Sequence, residues 1–158
     1  MDFVTHALIG RALAISPKNS RRDFWLIILF AVFADIPHIA NYLYLGYIKG
    51  RFLWIPHTSD WTGFAQLHPL QFMLWEIPHS ITFMALIILP IVLVFKLPKM
   101  TLLAYGLHLF IDIFTHTGEW AMRLFYPLKY SVEGFTNTWA WQLPYMGICW
   151  TFLILIVV

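Results

Sequence analysis

The sequence predicts an all-α, polytopic integral membrane protein, and three observations carry that prediction. Charged residues make up 11% of the 158, where a soluble domain carries about 25%. The mean hydropathy is +0.71, and the apolar residues collect into runs parted by polar, aromatic-rich stretches. Eight tryptophans and fourteen phenylalanines suit the aromatic belts of bilayer interfaces. The expected architecture is a single membrane-embedded domain over residues 1–158. It has about four transmembrane helices, a short N-terminal apolar helix and an interfacial outer segment.

Residues 3–15 are apolar but too short to cross a bilayer, which takes roughly 20 residues. Met1-Asp2-Phe3 ahead of them lacks the basic start of a cleaved signal peptide. Ser16-Pro17 and a basic turn with Lys18, Arg21 and Arg22 follow. Residues 24–46 are long enough to span despite Asp35 and Pro37. Residues 47–77 interleave Lys49, Arg51, His57, Asp60, His68 and Glu76 with tryptophan and phenylalanine, a pattern suited to the headgroup layer. Residues 79–95 form the next span, closed by Lys96-Leu97-Pro98-Lys99. Residues 101–117 follow, then a second polar-aromatic stretch from 118 to about 140, then a span from about 141 to 158. The two short basic turns set the orientation, placing both on the cytoplasmic side and the polar-aromatic stretches outside.

Composition also excludes function classes. The net charge of +2 is not gathered into a basic stripe, so no nucleic acid is expected as a partner. Cys149 is the sole cysteine, which rules out an internal disulfide and cysteine-based zinc knuckles. No nucleophile elbow or glycine-rich phosphate loop is present. Metal bound by this chain must take nitrogen and oxygen ligands.

Such ligands lie within the apolar runs. An ionisable group in hydrocarbon costs a few kcal/mol and marks a functional site by default, and histidine with aspartate suits divalent metals. His108, Asp112 and His116 are spaced i, i+4, i+8 and share a helix face. Asp35-Ile36-Pro37-His38 sets two ligand types beside a proline that frees the carbonyl of residue 33. Measured up straight helices from the cytoplasmic side, Asp35 and Asp112 lie at ~17 Å, His6 at ~14 Å, His38 and His116 at ~21–23 Å and His79 at ~24 Å. His108 is deepest, at ~11 Å. Plainer roles exist for each: Asp112 joining helices through a histidine, Asp35 satisfying backbone freed by Pro37, lone histidines bonded within a core, and Ser80 capping a helix. His57 and His68 read as solvated loop residues. His116 and Glu119 stand at the outer mouth as candidate acid–base groups, and Arg123 and Lys129 as receivers of an anionic head group or as interface anchors.

In order, Thr5-His6 with Gly10, Asp35-Ile36-Pro37-His38, His79-Ser80, and His108-x-x-x-Asp112 with Gly118 and Pro127 resemble the membrane-bound metal-dependent hydrolase family, also described as LexA-binding, inner-membrane-associated hydrolases. The resemblance covers roughly residues 4–134. It implies a cytoplasmic (inner) membrane protein, a metal-dependent hydrolytic activity, and His6, Asp35, His38, His79, His108 and Asp112 as the polar positions. Asp35-Ile36-Pro37-His38 stands where the family often has Asp-x-Asp-His, one carboxylate fewer.

The expected function is hydrolysis of a lipid or lipid-linked ester, foremost a phosphoester, reached from the outer leaflet. The expected cofactor is one or two divalent ions, zinc first and manganese second, held by those six residues in some combination. His116 or Glu119 would move the proton. Two competitors belong to other classes: a divalent-metal transporter or channel, which needs polar residues continuing to the cytoplasmic side, and a non-catalytic membrane assembly protein with structural histidines.

Overall fold

Asp2 opens helix α1 (Phe3–Ala14). Its carboxylate accepts from the Thr5 backbone N–H at 3.0 Å and from the Thr5 hydroxyl, pairing a donor that a helix start otherwise leaves open. The computed structural model describes residues 2–138 and 143–157. Among these every regular element is helical, apart from one isolated bridge between Met122 and Val132. The all-α expectation therefore holds.

Helix α2 (Arg21–Val32) starts from a reciprocal cap in which the Asp23 N–H donates to Ser20 and the Ser20 N–H donates to Asp23. A 3₁₀ turn at Phe33–Asp35 joins it to α3 (Ile36–Ile48). Pro37 has no N–H for the Phe33 carbonyl, and the Ile36 N–H takes that carbonyl through the tightened turn instead. The stretch Arg21–Ile48 thus runs on for 28 residues with mean hydropathy 1.8, long and apolar enough to cross a bilayer.

Past α3 the chain folds into loops, where Arg51 forks onto Asp60 at 2.7 and 2.8 Å. The guanidinium bond holds the Asp60 carboxyl down to about 2. Short helices α4 (Phe64–Leu67) and α5 (Pro69–Glu76) follow. Helix α6 (Ile81–Phe83) begins after Ser80, which caps it by accepting from Phe83 at 3.1 Å. It runs through a π-turn at Met84–Ile88 into α7 (Leu89–Val94). The segments Pro69–Glu76 and Ile81–Val94 meet at 60°. The expected straight span over 79–95 is thus one limb of a broken helix, and His79 lies in the break beside Pro78 rather than on the helix.

Helix α8 (Lys99–Thr115) buries Thr101, Ala104, Tyr105, His108, Asp112 and Thr115 along one stripe, at the three- and four-residue spacing of a helix face. Helix α9 (Leu143–Val157) packs against α1. Residues 139–142 and 158, which include both ends of the expected 141–158 span, lie outside the described residues. Helix α8 has 17 residues, at the lower end of what a crossing takes, and α9 has 15 among the described residues. Among the described residues, one helix is long and apolar enough to cross a membrane, and one bent pair passes the same test taken together.

The core gathers Leu45, Phe64, Trp75, Ile88, Tyr105 and Trp120. Trp25, Leu86, Leu93, Phe152 and Leu155 stand on the outside, each more than half exposed.

Candidate metal centre

Three elements that are distant in sequence meet at one point and bring four side chains together. Asp35 ends the 3₁₀ turn between α2 and α3, His79 fills the break before α6, and His108 and Asp112 come from successive turns of α8. One ligand atom from each lies within 4.8 Å of all the others. His79 Nε2 is 3.2 Å from His108 Nε2, 3.3 Å from Asp35 Oδ1 and 3.6 Å from Asp112 Oδ2. His108 Nε2 is 3.3 Å from Asp112 Oδ2 and 3.9 Å from Asp35 Oδ1.

The tautomers follow from the backbone. A carbonyl oxygen can only accept, so His79 Nδ1–H donates to the Trp75 carbonyl at 2.6 Å and His108 Nδ1–H to the Ala31 carbonyl at 2.7 Å. In the neutral rings each Nε2 then holds a lone pair, and the two lone pairs face one another and two carboxylates. Those groups repel unless a proton or a metal cation lies among them. A tetrahedral ion with bonds of about 2.0–2.1 Å keeps its ligand atoms roughly 3.3–3.4 Å apart, close to the spacing found here. Asp35 Oδ2 is buried without a hydrogen-bond partner among the described residues, which leaves it acceptor capacity toward an ion. The donor set fits a divalent metal, and this buried His/Asp group could hold one. An ion-ligating histidine characteristically donates its other N–H to a carbonyl or carboxylate, as both rings do here.

The straight-helix depths put His79 and His108 farther apart than any other pair, yet their Nε2 atoms lie 3.2 Å apart. Depth counted along a straight span does not apply at His79, because the chain turns by 60° around it.

His6 and His38, expected as ligands, stand beside the group of four. The His6 ring lies flat on His108 with centroids 3.7 Å apart, and its Nε2 meets Asp112 Oδ1 at 3.1 Å. It therefore grips the carboxylate oxygen opposite the one facing His79 and His108. Gly10 makes this approach possible, because a Cβ there would stand 2.5 Å from the Ala31 Cβ. His38 follows Asp35 by three residues, and its ring packs against Tyr42, Trp61 and Trp120. Asn41 donates its amide to His38 Nδ1 at 3.0 Å.

The two expected proton carriers also differ from their sequence reading. His116 caps α8, and its Nδ1 donates to the Asp112 backbone carbonyl at 3.1 Å, behind the carboxylate. Glu119 accepts from the backbone N–H groups of Gly63 at 3.0 Å and Ala65 at 3.3 Å, clamping the two outer loops together. Its carboxylate serves that clamp and is not part of the group of four. Arg123 pairs with Glu76 at 2.8 Å and so does not stand ready for a head group.

A cleft of about 410 Å³ reaches the group at Asp35 and His38. Its walls are largely apolar, from Phe3 and Val4 on α1, Ile39 and Tyr42 on α3 and Trp150 on α9. Trp150 Nε1 donates to Asp2 at 3.0 Å, which closes one wall by tying α9 to the start of α1. The grip of His6 on Asp112 and the cleft's wall from α9 were absent from the sequence reading; the Thr5-His6 pair near Gly10, a small residue where helices touch, was the available signal. Compared with protein-family models, with curated proteins and with solved structures, the chain finds no match.

Proposed function

We propose that this protein is a metal-dependent hydrolase of the cytoplasmic membrane that cleaves an ester or related bond in a lipid-type substrate, with Asp35, His79, His108 and Asp112 holding a zinc ion. One observation carries the reading: two histidines fixed by backbone carbonyls present Nε2 lone pairs to two carboxylates at tetrahedral spacing. The order of its motifs, which resembles that of the membrane-bound metal-dependent hydrolases, supports it. A divalent ion in such a setting polarises the scissile group and supplies a hydrolytic nucleophile from water at neutral pH.

The chain's own residues do the rest. His6 holds Asp112 in orientation through Oδ1. Asp35 and His38 face the cleft, so the bond to be cleaved comes to them while the apolar part of the substrate lies along Phe3, Val4 and Ile39. The aromatic packing of Trp75 on His79, 4.8 Å between centroids, keeps bulk water from that side.

Four crossings, made up by α2–α3, the bent pair, α8 and α9, give the embedding we favour. The Lys/Arg turns at Lys18, Arg21 and Arg22 and at Lys96 and Lys99 then face the cytoplasm and the cleft opens toward the outer leaflet. Below His108 the polar atoms are committed internally: the Tyr105 hydroxyl donates to the Pro78 carbonyl and the Thr101 hydroxyl to Pro98. An ion leaving the group in that direction meets no further carboxylate or imidazole among the described residues, which favours a dead-end enzyme site over a transport path.

The test is metal content by mass spectrometry on detergent-purified protein, beside Asp112→Ala. Near-stoichiometric zinc that drops at least tenfold in the variant, with helicity retained, is the expected result. Wild-type protein that stays metal-free after incubation with zinc would overturn the reading.

A further inference from the structure

The cleft at Asp35 has a charge character that selects among substrates. Its volume of about 410 Å³ lies within the range of small-molecule sites, roughly 300–1,000 Å³. At about 30 Å³ for a group the size of a water molecule, it holds roughly 14 such groups, one medium alkyl chain with its head and not two.

Among the residues that line it, two are aspartates and none is lysine or arginine. The nearest outer guanidinium groups are engaged elsewhere, Arg51 with Asp60 at 2.7 Å and Arg123 with Glu76 at 2.8 Å. A divalent ion between Asp35 and Asp112 is matched by two carboxylates, so the cleft keeps the negative charge of Asp2 at its rim. Asp2 is held there by Thr5 and Trp150. A phosphoester would bring a further anion into an apolar-walled space whose described lining holds no lysine or arginine, an arrangement that burial penalises. An uncharged acyl carbonyl bears no such penalty.

Resting on the hydrolase reading, we propose that the substrate is an uncharged, single-chain carboxylic ester or amide, and that phosphoesters are excluded. The alkyl chain lies against Val4 and Ile39, and the acyl carbon faces Asp35. Water adds its oxygen to the acyl carbon and the bond to the alcohol oxygen or amine nitrogen breaks. The leaving group takes one proton from that water, and the acid product releases the other as it ionises. The carboxylate product carries the charge the cleft disfavours, so hydrolysis itself drives release.

The experiment uses the zinc-loaded full chain in an uncharged detergent. Calorimetry compares dodecanamide with dodecyl phosphate, and a parallel assay compares hydrolysis of p-nitrophenyl laurate with that of dodecyl p-nitrophenyl phosphate. The amide is expected to bind at least tenfold tighter than the phosphate, and only the laurate to be cleaved. Val4→Lys, or Ile39→Lys if the first does not fold, is expected to raise dodecyl phosphate affinity about tenfold with zinc content unchanged, the scale of one favourable charge contact. Equal or tighter phosphate binding by the wild type, or preferential cleavage of the phosphate, overturns this inference and leaves the hydrolase reading in place. Zinc-loaded protein that cleaves neither ester overturns both.

Discussion

Gly10→Ala is expected to damage the metal centre from outside it. Gly10 lies one helical turn beyond His6, where α1 meets α2. A Cβ at this position would be 2.5 Å from the Ala31 Cβ and 3.1 Å from the Ile28 Cα, whereas carbon atoms settle at about 3.5–4.0 Å. The two helices must separate by roughly 1 Å at that point. His6 Nε2 stands 3.1 Å from Asp112 Oδ1, near the long end of a hydrogen bond, and a displacement of that size breaks it. Ala31 is also the residue whose carbonyl orients His108 at 2.7 Å, so both supports of the α8 ligands are disturbed together. Overpacking costs about 1–3 kcal/mol of stability, and losing an orienting partner of a metal ligand weakens metal binding about 10–100-fold. The assay is zinc affinity by competition with a chromogenic chelator, alongside thermal melting in detergent. Gly10→Ala is expected to bind zinc at least tenfold more weakly, and adding Ala31→Gly, which removes the closest clash, to recover most of that loss. Unchanged zinc affinity in Gly10→Ala, or failure of Ala31→Gly to restore it, would refute the steric chain from Gly10 to Asp112.

Three further outcomes follow from the geometry. Asp2→Ala removes the cap of α1 and is expected to cost about 1 kcal/mol in chemical or thermal unfolding, with Asp2→Ser recovering most of it. Glu119→Gln leaves zinc content unchanged, because its carboxylate serves the Gly63 and Ala65 amides, and lowers the melting temperature by an amount equivalent to about 1 kcal/mol. Asp60, held down to about 2 by the Arg51 guanidinium, contributes order to the outer loop that is present above its unfolded value of about 3.9 and lost as pH falls through about 2. Carbon NMR of the labelled carboxylate should show that low midpoint, and Arg51→Gln should return it toward the ordinary aspartate range.

What the sequence made legible was identity and local spacing. His108 and Asp112 share a helix face at four residues, and that spacing survives unchanged because a helix fixes it whatever surrounds it. Asp35 beside Pro37 likewise marked a local break in the backbone, and the 3₁₀ turn is that break. The lone cysteine pointed to nitrogen and oxygen donors, which the cluster uses. His79 was named but misplaced in depth, because periodicity extrapolates a straight rod and cannot register the 60° turn at residues 77–80. His6 and His38 were grouped with the ligands since both carry imidazoles at the right height, but height along a helix does not specify rotation about it. Glu119 finds its partners 54 and 56 residues away and Arg123 its partner Glu76 in α5, contacts that no local pattern encodes.

The bond between Asp2 and Trp150 has a consequence for the order of biogenesis. All four candidate ligands lie between residues 35 and 112, so their group can be completed as soon as α8 has been made and packed. The cleft wall at Trp150 emerges ~40 residues later, a few seconds of synthesis at about 5–20 residues per second. On the proposed function, an ion could therefore enter the group while the cleft is still open on one side. Docking of the last helix closes Trp150 onto the first residues of the fold and so completes the cleft beside a His/Asp group that is already assembled.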